Sequence, residues 1–432
     1  MILTVIGLKL FPKSAEKTNQ FIEGQRGLCR AGLFAASTSA SFFLPNLLLF
    51  RAKAIIIIDN PATGQTYHHQ KEGAHYMKRV YNFSPGPSML ALPVLEQVQK
   101  DLVSYGSTGM SVMEMSHRSK MYQEIFDQAV ELLKELMHVP ENYKVLLLQG
   151  GATQQFSAVP LNLMKTGRAD YVDSGNFAHL AAEEAKRYGE VRIAGSSRAE
   201  NYTFVPEADV SPEADYVHIT TNNTIYGTRF TALPDTKGVP LVADMSSNIL
   251  SEPYDVSRFG VVYAGAQKNI GPAGLCVLIV REDLLGRTHP LCPKLLNWQV
   301  EAEANSMYNT PNTFAIYVAK LGFEWLRSLG GVEAIEKVNV EKAALLYDYL
   351  DDSRLFKPTA QKAFRSRMNV TFVTGDPDKD AQFVKEAAAA GLVNLKGHRT
   401  VGGMRASIYN AMPVEGVKAL VDFMKQFEMK NA

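Results

Sequence analysis

Short apolar runs recur along residues 145–280 of this 432-residue chain, and helical patterns separate several of them. Apolar runs bounded by glycine, proline or polar residues are typical of strands that are buried on both faces. Strands that alternate with helices favour a mainly parallel sheet covered by helices. The predicted strands are residues 145–148, 170–172, 191–193, 216–219, 239–243, 261–263 and 275–280.

The chain changes organisation near residue 330. Two long helical patterns, at residues 313–329 and 332–350, are separated by a pair of glycines at which a helix would end. We predict an α/β protein with a large domain over residues 77–330, which includes an N-terminal segment, and a smaller C-terminal α+β domain over residues 331–432. The smaller domain is expected to contain strands at residues 368–373 and 405–408 and helices at residues 378–391 and 414–427.

Residues 1–76 stand apart from this pattern. Residues 1–80 hold ten Lys/Arg and four Asp/Glu, a net charge of +6, and residues 31–50 form a mostly apolar stretch. Three interpretations are open: a targeting segment that is later removed, a membrane anchor, or translated sequence upstream of the true start. Because Pro45, Asn46 and several hydroxyl residues interrupt the stretch, we rank the anchor last and place residues 1–76 outside the catalytic fold.

The composition excludes some classes of partner. The formal net charge is +1, so the chain has no large excess of positive charge of the kind that would suggest a nucleic-acid ligand. Cys29, Cys276 and Cys292 are too few and too scattered for a disulfide framework or a zinc site, and we expect no metal. We predict a cytoplasmic location, or an organelle if residues 1–76 are a targeting segment, and no membrane association for residues 77–432.

Lys268 is the first candidate for chemistry. It lies in a loop between the apolar runs at residues 261–263 and 275–280, close to Gly271-Pro272-Ala273-Gly274. Small residues in such a loop would let a bulky group approach the backbone. Taken alone, Lys268 could equally be a surface lysine whose alkyl chain packs against the protein.

Asp244 changes this balance because it ends the apolar run at residues 239–243, just upstream of Lys268. Ligands of open α/β sheets bind beyond the carboxyl ends of the strands, where both residues are expected to lie. Pyridoxal phosphate needs two groups from a protein: a lysine that condenses with its aldehyde and a carboxylate that keeps its ring nitrogen protonated. We predict that Lys268 and Asp244 are this pair.

Three further features fit a bound aromatic phosphate ester, although each has a plainer interpretation. The turn Gly150-Gly151-Ala152-Thr153 lies between a strand and a helix, where backbone N–H groups favour a phosphate, but paired glycines before a helix are common. Thr224 could hydrogen-bond a ring hydroxyl or be an ordinary turn residue. Phe177 could stack on the ring or belong to the core.

Cationic residues occur in two clusters, His117-Arg118 and His398-Arg399. A substrate with an anionic group at each end would need cations in two places, and the planar guanidinium binds carboxylate or phosphate through paired hydrogen bonds. A single arginine of this kind is usually a solvated surface residue. Two His-Arg pairs in turn-rich sequence make a binding role the better interpretation.

Six regions, in order along residues 77–432, resemble the phosphoserine aminotransferase family. One such match would be weak support, whereas six in register are strong. The matching segments are Met115-Ser116-His117-Arg118-Ser119, Gln149-Gly150-Gly151-Ala152-Thr153, Ala243-Asp244-Met245-Ser246-Ser247-Asn248, Gly265-Ala266-Gln267-Lys268-Asn269, Tyr308-Asn309-Thr310-Pro311, and Gly397-His398-Arg399 together with Arg405-Ala406-Ser407-Ile408-Tyr409-Asn410.

This resemblance implies a class V aminotransferase of fold type I, which depends on pyridoxal phosphate and acts as a homodimer with its sites at the subunit interface. It implies reversible amino transfer between O-phosphoserine and 2-oxoglutarate, giving 3-phosphooxypyruvate and glutamate in serine biosynthesis. A second implied activity is the formation of 4-phosphooxythreonine in pyridoxine biosynthesis.

The resemblance also implies roles for individual residues around the cofactor. Lys268 would hold it covalently, and Asp244 would pair with its ring nitrogen. Thr224 would contact the ring oxygen, and Phe177 would lie on the ring. The cofactor phosphate would be bound from two subunits, by Ala152, Thr153 and Gln267 of one and by Asn309 and Thr310 of the partner subunit.

For the substrate, the resemblance implies that Arg399 binds the α-carboxylate. The phosphate, or the side-chain carboxylate of glutamate, would be bound by His117, Arg118 and His398. Two positions near the cofactor depart from the family pattern. Phe177 stands where many relatives have tryptophan, which softens stacking, and Thr153 stands where several have arginine, which removes a phosphate ligand.

Three alternatives share part of this pattern. A serine-pyruvate or alanine-glyoxylate aminotransferase would share Lys268 and Asp244 but would not need two His-Arg clusters. A cysteine desulfurase would need a cysteine on a mobile loop, and only Cys292 could serve. A non-catalytic scaffold would share the fold but would need none of these residues, and the presence of Lys268, Asp244 and both His-Arg clusters argues against it.

Overall fold

The computed structural model describes residues 55–59, 66–70 and 79–431. The chain divides into two compact units, Met1–Arg79 and Val80–Ala432. In the first unit, β1 (Ile55–Asp59) pairs antiparallel with β2 (Thr66–Gln70). The apolar stretch at residues 31–50 lies outside the described residues. No helix in the described ranges is both long and apolar enough to cross a membrane.

The second unit alternates strands and helices along most of its length. Its strands are β3 (Tyr81–Asn82), β4 (Tyr143–Gln149), β5 (Arg168–Asp173), β6 (Glu190–Ser196), β7 (Val217–Thr220), β8 (Asn222–Asn223), β9 (Thr228–Arg229), β10 (Leu241–Asp244), β11 (Val261–Gly265), β12 (Leu275–Arg281), β13 (Lys357–Pro358), β14 (Asn369–Val373), β15 (Leu392–Val393) and β16 (Met404–Ser407). Its α-helices are α1 (Leu92–Asp101), α2 (Lys120–Met137), α3 (Ala152–Leu163), α4 (Asn176–Ala185), α5 (Trp298–Glu303), α6 (Thr313–Ser328), α7 (Gly331–Asp352), α8 (Pro377–Ala389) and α9 (Val414–Asn431).

A seven-stranded sheet forms the centre of this unit, with the strand order β4-β12-β11-β10-β7-β5-β6. β12 is antiparallel to both of its neighbours, and the other neighbouring strands are parallel. The seven strands correspond to the seven predicted apolar runs, which confirms the mainly parallel α/β fold. β10 and β11 are buried at every residue, as expected for strands covered on both faces.

The C-terminal part has a hydrophobic core of its own. Three antiparallel strands in the order β13-β14-β16 pack with α7, α8 and α9 around it. Phe83, from the N-terminal segment, is fully buried in the same core, and β3 pairs parallel with β15. The N-terminal segment therefore packs with the C-terminal part. The predicted domain boundary at residue 330 stays a prediction.

Lys342, on α7, is a fully buried cation in this part of the chain. Its Nζ donates hydrogen bonds to the backbone carbonyls of Ile408, Tyr409 and Met412 at 3.0, 2.8 and 3.1 Å. Burial lowers the pKa of Lys342 to about 7, whereas the three carbonyls stabilise its charged form. The amine thereby joins α7 to the segment that connects β16 to α9.

Replacing Lys342 by methionine is expected to lower the free energy of unfolding by about 2 kcal/mol or more, because the buried carbonyls of Ile408 and Met412 lose this donor at about 1–3 kcal/mol each, whereas Tyr409 O keeps the N–H of Met412. Urea denaturation measures the change. Lys337→Met, at an exposed position on the same helix, is the matched control and should stay within about 0.5 kcal/mol of the wild type. Equal stability of the two variants would contradict the prediction.

Candidate active site

Neighbouring strands of the central sheet end at the same edge. β7 ends at Thr220, β10 at Asp244 and β11 at Gly265, and the register places Asp244 opposite both Thr220 and Tyr263. Because these strands are parallel, the turns that follow them surround a common space. A cavity of about 240 Å³ lies there, and residues from each of these turns line it.

Lys268 follows β11 and lines this cavity. Its Nζ donates a hydrogen bond to Thr224 Oγ1 at 2.8 Å and lies 5.6 Å from the centroid of the Phe177 ring. Burial lowers the pKa of Lys268 to about 8; the charge of Asp244 opposes this shift, and the charge of Arg405 adds to it. An appreciable fraction of the amine is therefore neutral, and so nucleophilic, near neutral pH.

Asp244 is a buried carboxylate on the same cavity, with only 5% of its surface exposed. Its Oδ1 accepts a hydrogen bond from the backbone N–H of Ser246 at 2.8 Å. Burial raises the pKa of Asp244, while the hydrogen bond with Ser246 and the charge of Lys268 lower it. A buried acid of this kind is suited to hold a cationic ring nitrogen, whose charge would stabilise the ionised carboxylate.

The first turn of α3 forms another wall of the cavity, through Gly151, Ala152 and Thr153. A Cβ at Gly265 would lie 3.4 Å from Ala152 N, so glycine at the end of β11 keeps the approach to this backbone N–H clear. Backbone N–H groups and the helix dipole at the N-terminus of this 12-residue helix favour an anion such as a phosphate.

Arg405 is a site residue that the sequence analysis did not select. It lies in β16, is 6% exposed and lines the cavity. Its Nη1 donates to Thr224 O at 3.2 Å, while its buried Nε has no hydrogen-bond partner within the described part of the chain. Burial lowers the pKa of Arg405. A buried guanidinium with an unused donor is suited to bind a carboxylate.

The signal for Arg405 was present in the sequence. It interrupts a short strand whose other residues are small or apolar, and a charged side chain buried in a strand needs a partner. The pattern gave no indication of which ligand or element would provide that partner.

The family model described as Aminotransferase class-V matches residues 80–420. This chain belongs to the class V aminotransferase family. The match begins where the second compact unit, Val80–Ala432, begins.

Relatives of this class V aminotransferase are named phosphoserine aminotransferase. The one from Bacillus cereus is 56% identical over 359 residues, which are 82% of this chain and 100% of the relative. The one from Listeria monocytogenes is 57% identical over 354 residues, which are 81% of this chain and 97% of the relative. These relatives confirm the resemblance that was inferred from the six regions.

Solved structures of the same name are also similar to this class V aminotransferase. Phosphoserine aminotransferase from Bacillus circulans subsp. alkalophilus has 45% identity and a TM-score of 0.81, over 82% of this chain and 100% of that one. A pyridoxal-phosphate-bound phosphoserine aminotransferase from Trichomonas vaginalis has 39% identity and a TM-score of 0.76, over 80% of this chain and 100% of that one.

The cavity of this class V aminotransferase brings together most of the predicted cofactor-binding residues. Asn309 and Thr310 do not line it: both are exposed, and Asn309 lines a second cavity of about 290 Å³. The predicted residues that line the first cavity are Ala152, Thr153, Phe177, Thr224, Asp244, Gln267 and Lys268.

Of the predicted substrate-binding residues, only His398 lines the cavity. Arg118 and Arg399 are exposed and His117 is partly exposed, and these three do not line it within their own chain. Their roles stay predictions.

The hydrogen bonds of His398 set its tautomer. The backbone N–H of Thr400 donates to Nδ1 at 3.3 Å, and the Thr400 hydroxyl oxygen lies 2.7 Å from the same nitrogen. Because an amide N–H can only donate, Nδ1 is an acceptor and the ring proton is on Nε2. Burial and the charges of Arg405 and Arg399 lower the pKa of His398, so the neutral ring offers Nε2–H as a donor.

Lys268→Met is expected to change how stability depends on pH in the protein without added cofactor. Because the folded state opposes protonation of Lys268, a protonated Lys268 lowers the free energy of unfolding. This destabilisation is complete below about pH 8 and is lost as the pH rises toward 10.5. The free energy of unfolding of the wild type should therefore rise relative to that of Lys268→Met by about 2–3 kcal/mol across this range.

Urea denaturation at a series of pH values measures this difference. Lys337→Met, which removes an exposed lysine, should follow the wild-type pH dependence. Parallel curves for the wild type and Lys268→Met would show that folding does not shift the titration of this amine.

Proposed function

We propose that this class V aminotransferase binds pyridoxal phosphate and transfers an amino group between O-phosphoserine and 2-oxoglutarate. The observation that carries the proposal is the amine of Lys268, which is held by Thr224 and interacts with the charges of Asp244 and Arg405. The substrate is supported by relatives that are 56% and 57% identical and are named phosphoserine aminotransferase.

The residues present fit this cofactor. Asp244 provides a buried carboxylate for a protonated ring nitrogen, and Lys268 provides an amine of lowered pKa for the aldehyde. The first turn of α3, with Ala152 and Thr153, provides backbone N–H groups for the phosphate. Gln267 lines the same cavity and adds a side-chain amide.

Bound pyridoxal phosphate supplies an electron sink for the electron pair left on the substrate's Cα when its proton is removed. Lys268 removes that proton, because an amine with a pKa of about 8 can both accept and release a proton near neutral pH. Thr224 orients the amine through their 2.8 Å hydrogen bond. Asp244 keeps the ring nitrogen protonated.

We assign the substrate's α-carboxylate to Arg405, in place of the predicted Arg399. Arg405 is buried on the cavity wall with an unused Nε–H donor, whereas Arg399 is exposed. His398 donates from Nε2 to the phosphate of phosphoserine or the distal carboxylate of glutamate. Two separate donors therefore match a substrate that carries an anion at each end.

The enzyme is proposed to act as a homodimer. Asn309 and Thr310 are exposed and lie outside the cavity of their own chain, which suits a role in the site of a second subunit. Arg118, which is exposed, and His117, which is partly exposed, suit the same arrangement. A cytoplasmic location and the formation of 4-phosphooxythreonine stay predictions.

A cysteine desulfurase is a weaker proposal. Cys292 does not line the cavity, and burial raises its pKa to about 11, which disfavours the thiolate needed for attack on a substrate.

Reduction of the cofactor-loaded enzyme with borohydride should fix a cofactor adduct on the peptide that contains Lys268, because reduction makes the bond to its amine permanent. Peptide mass spectrometry locates the adduct. Lys268→Ala should carry no adduct and show no multiple turnover with phosphoserine and 2-oxoglutarate, while Lys337→Ala should match the wild type. An adduct on another lysine, or sustained turnover by Lys268→Ala, would refute the assignment.

Arg405→Ala should raise KM for both phosphoserine and glutamate by about 10- to 100-fold, the effect of losing a charged hydrogen bond worth about 1.5–3 kcal/mol. Both substrates should suffer because both carry the α-carboxylate. Arg405→Lys should recover only part of the lost affinity, since a lysine ammonium cannot form the paired hydrogen bonds of a planar guanidinium. Steady-state kinetics with each substrate measure the effect.

The matched control for this prediction is Arg399→Ala, which should change KM for glutamate by less than about threefold because exposed contacts are worth little. A larger effect of Arg399→Ala than of Arg405→Ala on both substrates would restore the carboxylate to Arg399. An effect of Arg405→Ala on phosphoserine alone would place Arg405 at the phosphate.

A further inference from the structure

Asn269 follows Lys268 directly, and its side chain joins two segments that are distant in sequence. Its Nδ2 donates to Ile249 O at 3.0 Å, and its Oδ1 accepts a hydrogen bond from the backbone N–H of Asn410, also at 3.0 Å. Ile249 lies in the turn that follows Asp244, and Asn410 lies just beyond β16, the strand that carries Arg405. One amide thus connects the three segments that carry charges into the cavity.

We propose that Asn269 is a positioning residue that fixes the Lys268 amine relative to Asp244 and Arg405. It does so through the backbone, because its hydrogen bonds with Ile249 O and Asn410 N tie the residue next to Lys268 to the chain beyond Asp244 and beyond Arg405. The proposal concerns the protein alone and does not depend on the identity of the substrate.

The segments that Asn269 contacts are themselves held in place. The side chain of Asn410 donates to Leu250 O at 2.8 Å and accepts from Asn339 Nδ2 at 2.9 Å. Asn339, on α7, also donates to Ser251 O at 3.0 Å, and both asparagines are buried. These hydrogen-bonded amides end on the long helix α7. The two segments to which Asn269 hydrogen-bonds are therefore held in place by further hydrogen bonds.

Ser88 also holds the backbone of the Lys268 loop. Its N–H donates to Gln267 O at 2.9 Å and its hydroxyl to Lys268 O at 2.5 Å. These bonds restrain the loop toward the N-terminal segment only. Among the side-chain hydrogen bonds of residues 267–269, those of Asn269 are the ones that reach the turn after β10 and the segment after β16.

Asn162 provides a matched control for a purely structural effect. It is a buried asparagine that donates to Ala158 O at 2.8 Å and Leu296 O at 2.7 Å and accepts from Trp298 N at 3.0 Å. It joins separate segments as Asn269 does, but it does not line the cavity of Lys268. Loss of either side chain should lower thermal stability to a similar extent.

The test compares the wild type, Asn269→Ala and Asn162→Ala as full-length proteins without added cofactor. Each is treated with acetic anhydride, which reacts with neutral amines and does not itself ionise, and acetylation of Lys268 is followed by peptide mass spectrometry from pH 6 to 11. Each rate is divided by its plateau value at high pH. A change in how easily the reagent reaches the amine then leaves the midpoint unchanged. The wild-type midpoint is expected near pH 8.

Asn269→Ala should move this midpoint upward by about one unit, because a released loop lets water reach the amine. At pH 8 the neutral fraction would then fall about fivefold. Asn162→Ala should lose comparable thermal stability and keep the wild-type midpoint. A midpoint in Asn269→Ala within about 0.3 units of the wild type, or an equal shift in Asn162→Ala, would overturn the proposal.

A second variant keeps the test decisive if Asn269→Ala does not fold. Asn269→Ser leaves a small polar side chain but removes the bridge between Ile249 O and Asn410 N, since one hydroxyl cannot replace an amide that reaches both atoms together. Its midpoint should move in the same direction, and an unchanged midpoint would count against the proposal in the same way.

Discussion

The amine of Lys268 is held in a cavity where water competes poorly for it, and two opposing effects act on it there. Loss of hydration favours the neutral amine, which is needed for attack on an aldehyde, while the carboxylate of Asp244 favours the charged form. Burial dominates, so the amine can exchange protons near neutral pH. This outcome depends on where β10 and β11 end, because the sheet places the acid and the loop that carries the amine at one edge.

Lys268 and Asp244 could be found from the sequence because each follows an apolar run. Such a run marks a buried parallel strand, and the residues after parallel strands lie at the same edge of the sheet. The strands themselves were predictable for the same reason, since burial on both faces leaves a continuous apolar signal. Arg405 was missed because its importance comes from a contact with Thr224 that links two distant parts of the chain. The α-carboxylate was assigned to Arg399 on the family resemblance, and the side chain of Arg399 is exposed within this chain.

A different limit applies to Asn309, Thr310, His117 and Arg118. Hydrophobic periodicity reports which residues are buried within one chain, but it does not report which subunit an exposed loop serves. The roles expected for these residues came from the family resemblance, which implies a site shared between two subunits. Their exposure within this chain fits a site completed by a second copy.

The C-terminal core is not built from one continuous stretch of chain. Phe83 fills part of it and β3 completes the pairing of β15, although both precede the large sheet in sequence. A fragment cut out at residue 331 would keep most of the apolar residues of that core but would have a hole at the position of Phe83 and an open strand edge. Recombination between related enzymes would therefore have to exchange two segments together: the residues around β3 and Phe83, and the C-terminal part from residue 331 onward.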